Sequence, residues 1–260
     1  MKTTQSESKL RRGIKAISRY VPQVEKPKKK IQLSEKLIWS GIAVLLYLVM
    51  GQIPLYGVTD DPQFDFLAFA RVIFAAQQGT LLELGIGPIV TAGLLMQLLK
   101  GSDLLKLNFK NPDDRALFTS ATKIVTIVVI VAEGTLYGVS VYGNLVASPL
   151  FVPVVVVQLI AASFIVMMLD ELVQKGWGLG SGISLFIMAG VAQGIMWSVF
   201  SPIPADDGPV GVIPFIIDSA INGDLAETLF RVGQLPSVFG LFVTAVVLLI
   251  LVYIQGIHVD

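Results

Sequence analysis

The sequence predicts an all-α integral membrane protein with six transmembrane helices and a short re-entrant helix. Hydrophobic residues make up 54% of the 260 residues and the mean hydropathy is +0.75, whereas ordinary soluble domains are about 45–50% apolar. Apolar stretches alternate with polar loops, and lipid favours helices even in the Val-rich fourth stretch because backbone groups must be paired within the segment. The predicted spans are residues 37–53, 88–99, 116–136, 149–169, 183–200 and 238–255.

The distribution of charge predicts the orientation of the chain. Residues 1–36 carry eleven of the nineteen Lys and Arg residues and lack the apolar core of a signal peptide. Directly before a membrane helix, such a segment is expected in the cytoplasm, with attraction to anionic lipid as a secondary effect. The loop at residues 100–115 is also basic and is expected on the same side. Both ends of the chain are therefore predicted to be cytoplasmic.

Four segments follow from this topology. The first is the basic cytoplasmic segment 1–36. The second, residues 37–200, holds the first five membrane helices and the short re-entrant helix (64–78). An acidic external loop at 201–236 and the sixth helix with its cytoplasmic end at 237–260 complete the chain. Ser34 is the expected N-cap of the first helix, and residues 111–114 are the expected start of the third. A short interfacial helix is expected at residues 213–221.

The stretch from Thr80 to Leu99 suggests the lining of a pathway. Its apolar run is interrupted at Gly85 and Gly87, and Pro88 suits the first turn of a new helix. That helix is short for a bilayer core of roughly 30 Å, and loose backbone at membrane depth needs cover by protein or water. From the break alone, a kinked packing helix explains the pattern equally well.

Two strings carry a family resemblance. The first is GIGPIVTAG at residues 85–93, followed by QLL at 97–99; the second is LDEL at 169–172, followed by GLGSGISLFI at 178–187. Together they resemble the signatures of the SecY family, the channel subunits of the protein-conducting translocon, called the alpha subunit in eukaryotes. The QKGW turn at 174–177 is similar to archaeal or eukaryotic members. The resemblance implies the first half of an inverted-repeat channel, plus the sixth of ten helices.

The resemblance implies roles for three sets of residues. The apolar pore ring would include Ile86, Val90, Ile183 and Ile187. The plug would comprise Ala68, Phe69, Ala70, Arg71, Val72, Ile73, Phe74, Ala75, Ala76, Gln77 and Gln78. Thr91 and Glu133 would belong to a polar cluster at the lateral gate. Buried packing residues are the alternative for the ring, a fixed strut for the plug, and a solvated carboxylate for Glu133.

The implied function is the central channel subunit of the Sec protein translocase, which conducts unfolded polypeptides across the membrane and releases transmembrane segments into lipid. A secondary transporter with a broken helix is the alternative, although the predicted midplane carries apolar side chains. The sequence has no cysteine and none of the spacings typical of a hydrolase triad, a zinc protease or a phosphate loop. We therefore expect no enzyme, no cofactor and no metal site, and His258 is expected to be an ordinary tail residue.

The resemblance also implies the partners and the location. The expected partners are a SecE-type gamma subunit, a beta subunit of the SecG or Sec-beta type, signal sequences and nascent polypeptides, the lipid membrane, and the ribosome through loops beyond residue 260. No specific nucleic-acid binding is expected. The expected location is the cell (plasma) membrane, or the endoplasmic reticulum membrane for a eukaryotic protein.

Overall fold

The computed structural model describes residues 16, 21–59, 73–102, 110–205, 208–222 and 237–256, and its regular structure is almost entirely helical. The helices in these ranges are α1 (Leu33–Met50), α2 (Gly87–Gly101), α3 (Pro112–Ser140), α4 (Val152–Leu172), α5 (Gly182–Phe200), α6 (Val212–Asn222) and α7 (Val238–Gln255). A 3-10 turn at Pro149–Phe151 leads into α4, and a π-helical turn at Val173–Trp177 follows it. The two-residue strands β1 (Pro204–Ala205) and β2 (Gly208–Pro209) pair antiparallel. The predicted all-α class is confirmed.

Five of the described helical stretches are long and apolar enough to cross a membrane: α1, α3, α4 with its flanking turns, α5 and α7. Helix α2 has 15 residues and is therefore about 22 Å long at 1.5 Å per residue. It is shorter than the roughly 30 Å hydrocarbon core. The count of six spans includes α2 as a short member and stays a prediction.

The ends of the helices agree with the predicted caps in one case and not in another. Helix α3 begins as expected, since the Asn111 side chain accepts a hydrogen bond from the Asp113 N–H at 3.0 Å. The prediction that Ser34 caps α1 is wrong. The helix begins earlier, at Leu33, because Gln32 already has the extended backbone of an N-cap residue. Ser34 therefore lies inside the first turn.

The chain divides into two compact units, Met1–Gly190 and Val191–Asp260. In the first unit, α3 packs against both α2 and α4, while α1 contacts α4 and the π-helical turn. Small residues on α3 permit this packing. A Cβ built on Gly134 would lie 2.8 Å from Cγ1 of Ile160 on α4, so only glycine allows the two backbones to approach so closely.

The second unit contains the end of α5, the short hairpin, α6 and α7. The Gly211 N–H donates to the Ser201 carbonyl at 2.9 Å, which closes the hairpin against the end of α5. Helix α6 extends the expected 213–221 helix by one residue at each end, and α7 has the predicted bounds of the sixth span.

An apolar core, which we call the central cluster, lies in the first unit around the start of α2. The Tyr47 and Phe186 rings stack within it, with centroids 4.6 Å apart. Its buried members are Ala43, Tyr47, Met50, Ala75, Leu82, Ile86, Ala162, Val166, Val173 and Phe186. The cluster joins α1, α2, α4 and α5 to the segment that precedes α2.

Candidate pore and gate region

The break before α2 depends on glycine. Gly85 has a φ of +53°, in the left-handed region that glycine tolerates best. A Cβ at this position would overlap the carbonyl oxygen of Phe74 and would lie 3.0 Å from Cα of Ala76. Helix α2 then starts at Gly87, with Pro88 in its first turn. The predicted break and new helix are confirmed to within one residue.

The predicted plug lies only partly within the described residues. Its residues 68–72 fall outside them. Ile73 and Phe74 are helical, and Ala75 has a φ of +47°, a conformation uncommon for a residue with a side chain. The chain leaves the helix here and continues irregularly to a turn at Gly79. We call residues 73–86 the re-entrant segment.

Two helices contact the re-entrant segment at Ala75. The Tyr47 hydroxyl on α1 donates a hydrogen bond to the Ala75 carbonyl. On α5, a Cβ built on Gly190 would lie 3.0 Å from the Ala75 Cβ. Tyr47 is 1% exposed, so its ring packs in the central cluster while its hydroxyl reaches the re-entrant segment.

The structure brings the four predicted ring residues to one place. Ile86 is fully buried in the central cluster, and its N–H donates to the Phe74 carbonyl at 2.9 Å. The other three are half-buried and pack against the same cluster: Val90, Ile183 and Ile187. Residues of α2 and α5 therefore pack against the same cluster as the end of the re-entrant segment. The pore-ring role itself stays a prediction.

The predicted gate residues are also in contact. The Thr91 side chain on α2 lies within interaction distance of the Glu133 carboxyl group on α3, and both residues are half-buried. Oε2 of Glu133 also lies 3.9 Å from a Cβ built on Gly87. The carboxyl group therefore faces the first turns of α2. Because an unpaired carboxylate is costly within a membrane, the Thr91 hydroxyl is a favourable partner; the gate role stays a prediction.

A buried carboxylate at Glu83 was not predicted as a site. Glu83 is 3% exposed. The Tyr137 hydroxyl donates to Oε1 at 2.8 Å, while the Tyr142 hydroxyl, at 2.6 Å, and the Gly79 N–H donate to Oε2. We call these four residues the Glu83 clamp. Burial, together with the Glu83 carboxylate, raises the pKa of Tyr142 and keeps its hydroxyl protonated as a donor.

A signal for this clamp was present in the sequence. Glu83 is the only acidic residue between Asp65 and Asp103, and leucines flank it on both sides. A lone carboxylate in such an apolar run requires a buried partner. Its tyrosine partners lie 54 and 59 residues further along the chain, so the sequence does not identify them.

A second unpredicted group lies where the amino-terminal half of α3 meets the carboxy-terminal end of α4. Glu171 pairs with Lys123 at 2.6 Å and with Lys175 at 2.7 Å. Lys123 also donates to the Pro22 carbonyl. The predicted third span included Lys123 without assigning it a partner. Because α3 begins at Pro112 and is 29 residues long, Lys123 is within reach of the polar end of α4.

The amino-terminal segment crosses this charged group. Lys175 donates to the Val24 carbonyl at 2.6 Å, and the Trp177 indole N–H donates to the Glu25 carbonyl at 2.7 Å. Trp177 also packs edge-on against Trp39 of α1, with ring centroids 5.3 Å apart. We call residues 22–25 the strap, since their carbonyls are tied to side chains from two other parts of the chain.

Comparison with known families gives two matches that together cover most of the chain. The family model for SecY matches residues 80–260, and the model for the plug domain of Sec61p matches residues 45–79. The protein translocase subunit SecY of Saccharolobus solfataricus is 39% identical over an alignment of 259 positions, which covers 95% of this chain and 55% of that relative.

Solved structures agree with these matches. A structure described as that of a protein conducting channel has a TM-score of 0.77 at 36% identity, covering 94% of this chain and 52% of that chain. Sec61 in the canine ribosome-channel complex from the endoplasmic reticulum has the same TM-score and identity, covering 94% and 53%. The chain thus spans about half the length of these relatives. With both signatures, the break before α2 and these matches in agreement, the chain belongs to the SecY family.

Proposed function

We propose that this chain forms about half of the central channel subunit of the Sec protein translocase. The assembled subunit would conduct unfolded polypeptides across the membrane and release transmembrane segments into lipid. The names of its relatives, a translocase subunit and a protein-conducting channel, support this proposal. They do not support the transporter alternative.

One observation carries the proposal: the re-entrant segment ends at the ring candidate Ile86, in the apolar cluster against which the other three ring candidates on α2 and α5 pack. Branched aliphatic side chains offer no hydrogen bonds, so a narrow ring built from them wets poorly and resists ion flow. The same chemistry makes no sequence-specific contacts with a passing polypeptide. Such a ring suits a channel that must accept many substrates.

The re-entrant segment would form the base of the plug, which comprises residues 68–78. The Tyr47–Ala75 and Ile86–Phe74 hydrogen bonds hold it against α1 and the start of α2. A typical hydrogen bond contributes about 1 kcal/mol net. Contacts of this size would hold the plug in the resting channel and would still allow substrate to displace it.

The contact between Thr91 and Glu133 would form part of the lateral gate. It joins α2 to α3 in the half of the channel that this chain supplies. Interhelical polar contacts in membranes average about 0.6 kcal/mol and reach about 1.7 kcal/mol. A contact of that strength suits a seam that opens when an apolar segment competes for the site.

The partners follow from the same proposal. A SecE-type gamma subunit, a beta subunit and lipid would cover the exposed apolar faces of helices such as α7, where Leu249 is 66% exposed. The canine relative belongs to a ribosome-channel complex, which supports the ribosome as a partner of the assembled channel. The basic segment and the strap would lie on the cytoplasmic side, in a plasma or endoplasmic reticulum membrane. We propose no enzymatic activity.

The test uses the complete channel in planar bilayers and proteoliposomes. Ile86→Gly combined with Ile183→Gly should raise the resting ion conductance, because the ring loses two of its apolar side chains. Ile42→Gly with Ile165→Gly is a matched control, since both isoleucines are exposed on other helices. Uptake of a small solute without translocation of an unfolded polypeptide would overturn the proposal. An unchanged conductance would remove the two isoleucines from the ring.

A further inference from the structure

The two ends of the re-entrant segment are attached in different ways. Near its start, Ala75 accepts a hydrogen bond from Tyr47, and Phe74 accepts one from Ile86. Further along, the Glu83 clamp ties Gly79 and Glu83 to the end of α3 and the turn that follows it.

Backbone hydrogen bonds strengthen the second attachment. The Leu55 N–H donates to the Gly79 carbonyl at 2.9 Å, and the Leu81 N–H donates to the Ile53 carbonyl at 3.0 Å. Residues 79–83 are thus held by the loop after α1 as well as by the clamp. This attachment depends on groups from three parts of the chain.

Burial differs in the same direction. Glu83 is 3% exposed and Tyr142 is fully buried; Ile73, at the start of the segment, is 50% exposed, although Ala75 is 7% exposed and packs in the central cluster. Ala75 at the first attachment and Gly79 at the second have positive φ values of +47° and +72°. The chain therefore reverses direction between an end with an exposed first residue, held by two hydrogen bonds, and a buried end held by three hydrogen bonds to Glu83 and two backbone hydrogen bonds.

We propose that Glu83 is a positioning residue that fixes the base of the plug, so that displacement occurs by rotation about residues 75–79. Residues 79–86 stay attached to the end of α3 when the plug leaves. Since Ile86 belongs to this attached part and α2 follows directly, Ile86 and Val90 keep their places during opening. This inference rests on the proposed function, because it assigns a hinge to the plug.

The chemistry of the clamp explains why a carboxylate is needed. Both oxygens accept hydrogen bonds, and three donors point at them. Leucine would remove the shared acceptor of the two tyrosine hydroxyls in a buried site, while the Gly79 N–H would keep the Tyr142 hydroxyl oxygen at 3.2 Å. Glutamine keeps one carbonyl oxygen for the Gly79 and Tyr142 donors, and the Tyr137 hydroxyl can turn to accept from the amide. Glu83→Gln should therefore preserve most of what Glu83→Leu removes.

The test measures amide hydrogen exchange in the complete resting channel without substrate. Tyr47→Phe keeps the ring stack and removes one hydroxyl, so exchange at the Ile86 amide should rise about fivefold, the effect of one typical hydrogen bond. Exchange at the Leu81 amide should stay within about twofold of the parent. Glu83→Leu should raise exchange at Leu81 as well, and Glu83→Gln should restore protection there. Tyr137→Phe is a milder variant for use if Glu83→Leu does not fold.

Cross-linking gives an independent measure of plug position. This chain has no native cysteine, and a Cβ built at position 190 lies 3.0 Å from the Ala75 Cβ, so a small outward shift reaches the roughly 3.5–4.5 Å of a disulfide. In the Ala75→Cys, Gly190→Cys channel, adding Tyr47→Phe should lower the disulfide yield severalfold.

An equal rise in amide exchange at Ile86 and Leu81 in Tyr47→Phe would overturn the hinge, because the segment would then move as one body. So would unchanged protection of Leu81 in both Glu83→Leu and Tyr137→Phe. These measurements need no translocation activity, so their outcome is separate from that of the proposed function.

Discussion

Gly85→Ala should displace the re-entrant segment from its resting position. An L-residue in the left-handed conformation costs about 1–2 kcal/mol, and this cost applies whether the segment is in place or displaced. The new Cβ also overlaps the Phe74 carbonyl oxygen, and moving Phe74 away breaks its hydrogen bond from Ile86. These two penalties apply only to the segment in its resting position.

The size of the effect follows from those two penalties. Crowding in a packed site costs roughly 1–3 kcal/mol, and one hydrogen bond contributes about 1 kcal/mol. The resting position should therefore lose about 2–4 kcal/mol relative to the displaced one. At 1.36 kcal/mol for each tenfold change, the lower figure raises the displaced population about 30-fold.

The assay is the resting ion conductance of the complete channel in planar bilayers at matched protein content. Gly41→Ala is the control, since a Cβ there meets nothing within 4 Å, and its conductance should match that of the parent. The thermal unfolding of each variant in detergent separates plug displacement from loss of the fold. A folded Gly85→Ala channel with the parent's resting conductance would refute the reasoning.

Three further predictions concern other parts of the chain. Thr91→Val and Glu133→Leu should each shift the hydrophobicity at which a test segment enters lipid, and a double-mutant cycle should give a coupling of about 0.6–1.7 kcal/mol; additive shifts would exclude the pairing. Lys123→Met should speed limited proteolysis within residues 22–25, and an unchanged rate would show that the ion pair does not hold the strap. Stability should fall above about pH 10, because unfolded Tyr142 ionises there while burial raises its folded pKa; Tyr142→Phe should reduce that slope, and an equal slope would exclude this cause.

The sequence predicted the features that depend on local chemistry. Length and hydropathy were sufficient for the long helices, because a membrane leaves few alternatives to an apolar helix. Gly85 and Pro88 were sufficient for the break, because their backbone restrictions act within a few residues. The prediction at Ser34 failed because several polar residues lie near the start of α1 and residue type alone does not choose among them. The extended backbone at Gln32 sets the start of the helix at Leu33.

The features that were missed depend on contacts between distant residues. Lys123 and Glu171 are 48 residues apart, and the strap lies more than 150 residues before Trp177. Spacing along one helix does not predict such pairs, since they exist only once α3 and α4 are packed side by side. The family signatures identified Thr91 and Glu133, but they did not identify the Glu83 clamp.

Glu83 and Glu133, the two glutamates of the candidate site, differ in how many hydrogen-bond donors surround them, and that difference suggests different roles. Glu83 is buried and accepts from two tyrosine hydroxyls and a backbone N–H, so moving it would break several hydrogen bonds at once. Glu133 is half-buried and lies next to the Thr91 side chain across the interface of α2 and α3, so a shift of its carboxyl group would disturb fewer polar contacts. A carboxylate within a membrane must be paired in either case. We therefore expect Glu83, with more partners, to anchor the backbone, and Glu133, with fewer, to belong to a part of the channel that can rearrange.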